Sequence, residues 1–132
     1  MFLLARRLRD KIWPEPLPPA GSFEGQTVLI TGATAGLGLA AAVHFVRFGA
    51  TVILTSRDVA QGEVARRHIE EETETTGRAK VHVRQLDMSR YASCVKFVEN
   101  LKSSDVGREG IDIAVLNAGI INVECIQSPE GW

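Results

Sequence analysis

Two rhythms of apolar positions alternate along most of this chain. Short unbroken runs, Thr27-Val28-Leu29-Ile30-Thr31, Thr51 to Thr55 and Ile113-Ala114-Val115-Leu116, carry no charge and read as strands buried on both faces. Val81-His82-Val83-Arg84-Gln85 alternates instead, and reads as a strand with one wetter face. Between them the period changes to that of a helix. Leu37, Ala41, His44, Phe45 and Phe48 recur on one predicted face, with Gly49 as the stop. A second helix is expected from about Val59 to Thr75, ended by Gly77, with Glu63, Arg66, Arg67 and Glu70 to Glu72 as a solvated side. A third is expected from the stripe Tyr91, Cys94, Val95, Val98 and Leu101, and Ser103 to Gly110 is expected to be a polar loop. Strands alternating with helices predict a parallel α/β sheet, and right-handed connections place its four strands in the order 3-2-1-4.

The ends of the chain have a different character. Leu4, Leu8 and Ile12 recur at helical spacing in Met1 to Trp13, among Arg6, Arg7, Arg9 and Lys11. This segment 1–13 reads as a self-docking or frayed N-terminal helix, as a contact with an anionic membrane surface, or as an organelle presequence. Its apolar run is too short to span a bilayer. Segment 14–22 holds Pro14, Pro16, Pro18 and Pro19, so it is expected to run extended as a linker into the domain that occupies 23–132.

Composition narrows the classes. With 15 basic and 16 acidic residues in 132, the net charge is close to zero and gives no reason to expect nucleic acid. Two cysteines, Cys94 and Cys125, make no disulfide framework, and a reducing, cytoplasmic setting is expected, with peripheral membrane association through 1–13 as the alternative. His44 has no Cys, His or carboxylate at metal-ligand spacing, so no metal site is expected. His82 is expected to be an ordinary strand side chain.

The chemistry is concentrated where the first strand ends. Gly32, Gly36 and Gly38 mark a tight turn into a helix, whose N-terminal N–H groups and partial positive charge favour a bound anion. Glycines there allow a sharp turn, close approach of a pyrophosphate, and close packing of helix on strand. The spacing Gly-x-x-x-Gly-x-Gly differs from Gly-x-Gly-x-x-Gly and from the P-loop.

Thr31 to Gly38 resembles the Thr-Gly-x-x-x-Gly-x-Gly motif of the short-chain dehydrogenase/reductase family, at every fixed position. Leu116-Asn117-Ala118-Gly119 is similar to that family's Asn-Asn-Ala-Gly, with Leu116 in place of the first Asn. Within the family the pattern looks most like the NADP-dependent, retinol-dehydrogenase-like members. The resemblance implies a Rossmann-type doubly wound sheet, here partial, with a ligand crevice at the carboxyl ends of its strands. It also implies hydride transfer between NADP(H) and a small alcohol or carbonyl substrate.

The same resemblance implies a cofactor set of Gly32, Thr34, Gly36, Leu37, Gly38, Ser56, Arg57, Asp87, Met88, Asn117, Ala118 and Gly119. Arg57 follows Gly38 by nineteen residues, near the roughly 20 at which a residue meets the adenosine ribose. Its fork suits a 2′-phosphate, which favours NADP. Asp58 reads as a helix N-cap; were it to reach the ribose instead, NAD would be preferred, and Ala35 stands where NADP-using relatives often carry a second basic residue. Asp87 is implied to contact the adenine amino group, with Met88 beside the ring; helix capping, by Asp87 or Ser89, is the alternative. Asn117 is implied to tie neighbouring strands beside the nicotinamide ribose, with Ala118-Gly119 leaving room.

The family's catalytic Tyr-x-x-x-Lys is not in this sequence. The single tyrosine, Tyr91, is followed four residues later by Val95 and precedes the Asn-Ala-Gly motif. No catalytic residue is therefore assigned. Ser128-Pro129-Glu130-Gly131-Trp132 looks like the family's approach to its next helix, so the chain is expected to be the cofactor-binding half of such an enzyme, truncated at its C-terminus and inactive alone. A non-catalytic nucleotide-binding or interaction module derived from that family is the alternative.

Overall fold

The computed structural model describes residues 16–78, 80–119, 127–128 and 130–131. The expectations for segment 1–13, Pro14, Cys125 and Trp132 lie outside them. Four strands, β1 (Thr27–Ile30), β2 (Thr51–Ser56), β3 (Val81–Gln85) and β4 (Ile113–Val115), form one parallel sheet in the order β3-β2-β1-β4. The helices are α1 (Gly36–Arg47), α2 (Val59–Glu72), α3 (Tyr91–Ser103) and the short α4 (Asp105–Arg108). This is the expected Rossmann-type doubly wound arrangement.

Alternate residues of the central strands feed two cores. Val28, Ile30, Val52, Leu54 and Val81 point to the α1 and α2 side, where they meet Ala42, Val43, Val46 and Ile69. Leu29 and Ile53 point the other way, to Leu86 and Phe97. Both β1 and β2 are buried along their whole length save Thr51, which is why neither shows a polar alternation. Phe23 seals the amino end of the first core. Its ring lies 5.0 Å from that of Phe45, edge to face, and its N–H donates to the Phe48 carbonyl.

Several expectations are corrected. The inner face of α1 is Gly38, Ala42, Val43 and Val46, not the face of Leu37 and His44; Leu37 is 83% exposed and His44 is exposed, stacked on Phe48. The helix is apolar nearly all round, so periodicity alone marks no face, and close packing of Gly38 sets its rotation. Similarly α3 buries Phe97, with Cys94 and Leu101 packed beside it, while Tyr91, Val95 and Val98 are exposed. The stripe read from the sequence is two neighbouring stripes, and only one faces the sheet.

Helix α2 ends at Glu72, short of Thr75, because the Thr73 hydroxyl turns back to the Ile69 carbonyl at 2.7 Å and Glu74 takes the left-handed conformation (φ 55°). Its charged side is not wholly solvated: Glu70 is only 4% exposed, under the Arg66 guanidinium at 2.7 Å, which also binds Glu63. Those two carboxylates, Glu63 first, raise the Arg66 pKa above its ordinary value. The segment expected to be a loop from Ser103 to Gly110 contains α4, started by the Ser104 hydroxyl accepting from Gly107 N. Finally, β4 is half-buried rather than buried. It stands at the sheet edge, and no described residue covers Ala114, which lies on the α3 side in register with Leu29.

Candidate cofactor site

Because all four strands are parallel, every residue of the implied cofactor set lies at or after the carboxyl end of a strand, and all collect along one rim of the sheet. In such sheets the ligand crevice opens where the strand order reverses, here between β1 and β4.

At that point the chain is locked together. Thr31, 4% exposed, places its hydroxyl oxygen where it accepts from the backbone N–H groups of Asn117 at 3.0 Å and Ala118 at 3.1 Å. The Asn117 amide Nδ2 returns two hydrogen bonds, to the carbonyls of Thr31 and Gly32, both at 3.2 Å. At the other end of the same strand pair, Asp112 accepts from Thr27 N–H at 2.7 Å and donates its own N–H to the Thr27 carbonyl. A three-residue strand is thereby held at both ends. Neither Thr31 nor Asp112 was among the residues singled out as site members. Thr31 was visible as the first letter of the glycine motif, but its partners lie about 86 residues away in sequence, beyond the reach of any local pattern.

The three glycines serve different ends. A Cβ on Gly38 would overlap the Gly32 carbonyl oxygen and stand 2.6 Å from Asn117 Nδ2; one on Gly32 would stand 2.8 Å from the Ala118 Cα. These two permit close packing of the α1 start, the turn and β4. Gly36 has nothing within 4 Å of a Cβ position, and a φ of 57° that disfavours any side chain. It opens the helix to the crevice. Ala35, the N-cap, supplies no side-chain hydrogen bond, and the first turn of α1 has no acidic residue. The helix start therefore offers uncapped N–H donors and no opposing charge, the surroundings that a pyrophosphate requires. Leu37, in that first turn, and Thr34, half-buried in the loop, flank it.

Further along the rim, the β2 end is braced. The Ser56 hydroxyl donates to the Asp58 carbonyl at 2.6 Å, and Asp58 Oδ1 accepts from Ala60 N–H at 2.8 Å, the N-cap role expected of it. Arg57 between them is exposed, and no described residue accepts a hydrogen bond from its guanidinium.

Asp87 follows β3. Its Oδ1 accepts from the Ser89 hydroxyl at 2.7 Å and from Ser89 N–H at 3.0 Å, and Arg90 Nε lies 3.6 Å from Oδ2. The Ser89 hydroxyl foremost, then its N–H, and the charges of Arg90 and Arg57, hold the Asp87 carboxyl below its ordinary value. Neither Asp87 nor Ser89 caps α3. That is done from the far end of the chain by Glu130, whose carboxylate oxygens accept from Tyr91 N–H at 2.6 and 2.8 Å. Met88 is half-exposed on the rim, Ala118 is half-buried, and Gly119 has open space on its Cβ side. Leu116, in place of the motif's first Asn, is 82% exposed. Among the described residues no group of three His, Cys, Asp or Glu is placed to hold a metal ion.

A parallel α/β sheet with an uncapped glycine turn at its switch point defines a dinucleotide-binding type of protein. Comparison with known proteins gives the family. The pattern of the short chain dehydrogenase family matches residues 26–130, and the chain belongs to the short-chain dehydrogenase/reductase family of oxidoreductases, which bind nicotinamide cofactors. The short-chain dehydrogenase/reductase ffsI of Aspergillus flavipes is 41% identical over 118 residues, 89% of this chain and 34% of that protein. The short chain dehydrogenase atnD of Emericella nidulans is 43% identical over 103 residues, 77% of this chain and 31% of that protein. Among solved structures, a Mycobacterium paratuberculosis protein is 35% identical with a TM-score of 0.67, covering 86% of this chain and 37% of its own. A Shigella flexneri short chain dehydrogenase complexed with NADP is 27% identical with a TM-score of 0.66, covering 77% of this chain and 41% of its own. The chain spans about a third of the length of the curated relatives it matches.

Proposed function

We propose that this chain is the cofactor-binding part of an NADP(H)-dependent short-chain dehydrogenase/reductase acting on a small alcohol or carbonyl compound, and that these 132 residues alone do not turn over substrate. The observation that carries the reading is the rim itself: an uncapped α1 start, opened by Gly36, lies between the Thr31–Asn117 lock and the exposed Arg57. NADP(H), when bound, would donate hydride to a carbonyl in its reduced form or accept it from an alcohol in its oxidised form. The chain's own residues bind and orient it. The first-turn N–H groups of α1 receive the pyrophosphate, with Thr34 and Leu37 at its sides. Arg57 takes the 2′-phosphate of the adenosine ribose, beside Ser56. Asp87 and Met88 receive the adenine, and Asn117, Ala118 and Gly119 border the nicotinamide ribose.

NADP rather than NAD is favoured because Asp58 is spent on Ala60 N–H, leaving Arg57 as the uncommitted side chain of this turn. The Shigella relative, solved with NADP, supports the same reading. Proton transfer falls outside the assignment, since no tyrosine of this sequence has a lysine four residues on. The test is a titration of NADPH and NADH into the wild-type chain and Arg57→Ala. NADPH should weaken by about 1.5–3 kcal/mol, the scale of a charge-assisted hydrogen bond, and NADH should barely change. Equal loss of both would overturn the NADP reading.

The alternative, a nucleotide-binding or interaction module without catalysis, shares the rim and lacks only the reaction. No turnover on addition of a polypeptide carrying the family's Tyr-x-x-x-Lys segment would favour it.

A further inference from the structure

We propose that Gln85 is a positioning residue for 2′-phosphate recognition: it holds the Arg57 backbone so that the guanidinium leaves the turn already aimed along the rim. The inference rests on the reading of Arg57 given above and names what sets its direction.

Gln85 is the last residue of β3 and stands in register with Ser56, the last of β2. Its Nε2 reaches past Ser56 to donate to the Arg57 carbonyl oxygen at 3.2 Å. One residue on, the Ser56 hydroxyl holds the Asp58 carbonyl at 2.6 Å, and the Asp58 carboxylate holds Ala60 N–H at 2.8 Å. The two peptide planes that flank Arg57 are each fixed through their carbonyl oxygen, that of Ser56 by Leu86 N–H at 2.9 Å and that of Arg57 by Gln85. With both planes fixed, the Cα–Cβ direction of Arg57 is fixed too, although nothing described holds the side chain itself. A long cation on an anchored backbone loses less freedom on binding than one on a loose turn, which is the physical advantage of preorganisation. Of the side chains that brace this turn, only that of Gln85 comes from another strand. It is exposed, so its amide is not needed to fill a core, and Leu86 N–H already pairs with the Ser56 carbonyl to close the strand ladder.

The experiment measures dissociation constants of adenosine 2′,5′-bisphosphate and of 5′-AMP by calorimetry on the full chain, as wild type, Gln85→Met, Arg57→Ala and the double variant. Methionine keeps the length and removes the donor. Gln85→Met should weaken the bisphosphate by about three- to tenfold, the worth of one amide hydrogen bond, and leave 5′-AMP unchanged. In the Arg57→Ala background it should have no further effect, because the two residues act as one unit. Equal loss of both ligands, with or without a lowered melting temperature, or a loss undiminished without Arg57, would mean a general structural role and overturn the proposal. If Arg57→Ala discriminates between the ligands and Gln85→Met does not, only the role of Gln85 falls; if Arg57→Ala does not discriminate, the phosphate reading falls and takes this proposal with it.

Discussion

The Thr31 hydroxyl and the Asn117 backbone face each other across the β1–β4 boundary at 3.0 Å, and the Asn117 amide closes the exchange by donating to the Thr31 carbonyl at 3.2 Å. One residue from each motif thus satisfies the other. The glycine turn and the Asn-Ala-Gly turn are a single hydrogen-bonded unit, and the crevice between them has a defined width because neither can move alone.

Removing the hydroxyl should therefore cost more than its size suggests. Thr31→Val leaves Ala118 N–H without its acceptor and Asn117 N–H with the Val115 carbonyl alone, at 3.1 Å, and unfolding free energy should fall by about 1–3 kcal/mol. Thr31→Ser keeps the acceptor and should stay near wild type. Urea denaturation of the three proteins is the check, and equal stability of the valine and serine variants would contradict the lock.

The two kinds of glycine should separate experimentally. Gly38→Ala drives a methyl into the Gly32 carbonyl and Asn117, and should lower stability by about 1–3 kcal/mol, as overpacking does. Gly36→Ala meets open space but must hold a left-handed φ, at about 1–2 kcal/mol. Its methyl stands where the pyrophosphate is proposed to approach, so NADPH affinity should fall further than stability does. Thermal melts with and without NADPH distinguish the two.

Asp87 predicts an acid-side signature. Its folded pKa lies below the ordinary 3.8, so it favours the folded state above that value, and this contribution is lost as pH falls through the folded pKa. The melting temperature of wild type should exceed that of Asp87→Asn by a constant amount above about pH 5, and the gap should close as pH drops below 3.8. A gap that persists unchanged to pH 2.5 would show that the carboxylate charge is not what the Ser89 turn uses.

NADPH oxidation by the chain alone, assayed against aldehydes, ketones and quinones, should remain at background, because its sequence has no Tyr-x-x-x-Lys proton donor. Turnover that copurifies with the chain and disappears in Asn117→Ala would refute this.

The fourth strand should promote self-association. Ile113-Ala114-Val115 forms an edge without charge or proline, with Leu116 exposed beside it, and Tyr91, Val95 and Val98 add exposed apolar area on α3. Size-exclusion chromatography at tens of micromolar should show dimers or larger species. Ala114→Lys, at an exposed position, should shift the population toward monomer. A monomeric wild type would mean that another part of the chain covers this edge.

What sequence alone determined here is what depends on neighbours along the chain. Uncharged runs and a change of period announced strands and helices; glycine spacing announced the turn; the connection rule then gave the order 3-2-1-4, and Asp58 before Val59 announced a cap. These signals are local because backbone preference and strand burial act on adjacent residues. Tertiary structure decided what depends on distant partners: which stripe of α1 and α3 turns inward, that Glu70 lies buried beneath Arg66, that Glu130 caps α3, and that β4 is only half covered. Helices as apolar as α1 offer several equivalent faces, and only close packing of Gly38 against Gly32 and Asn117 selects one. The same holds for Thr31 and Gln85. A hydroxyl and an amide read as ordinary polar residues until the fold brings Asn117 and Arg57 within hydrogen-bonding distance.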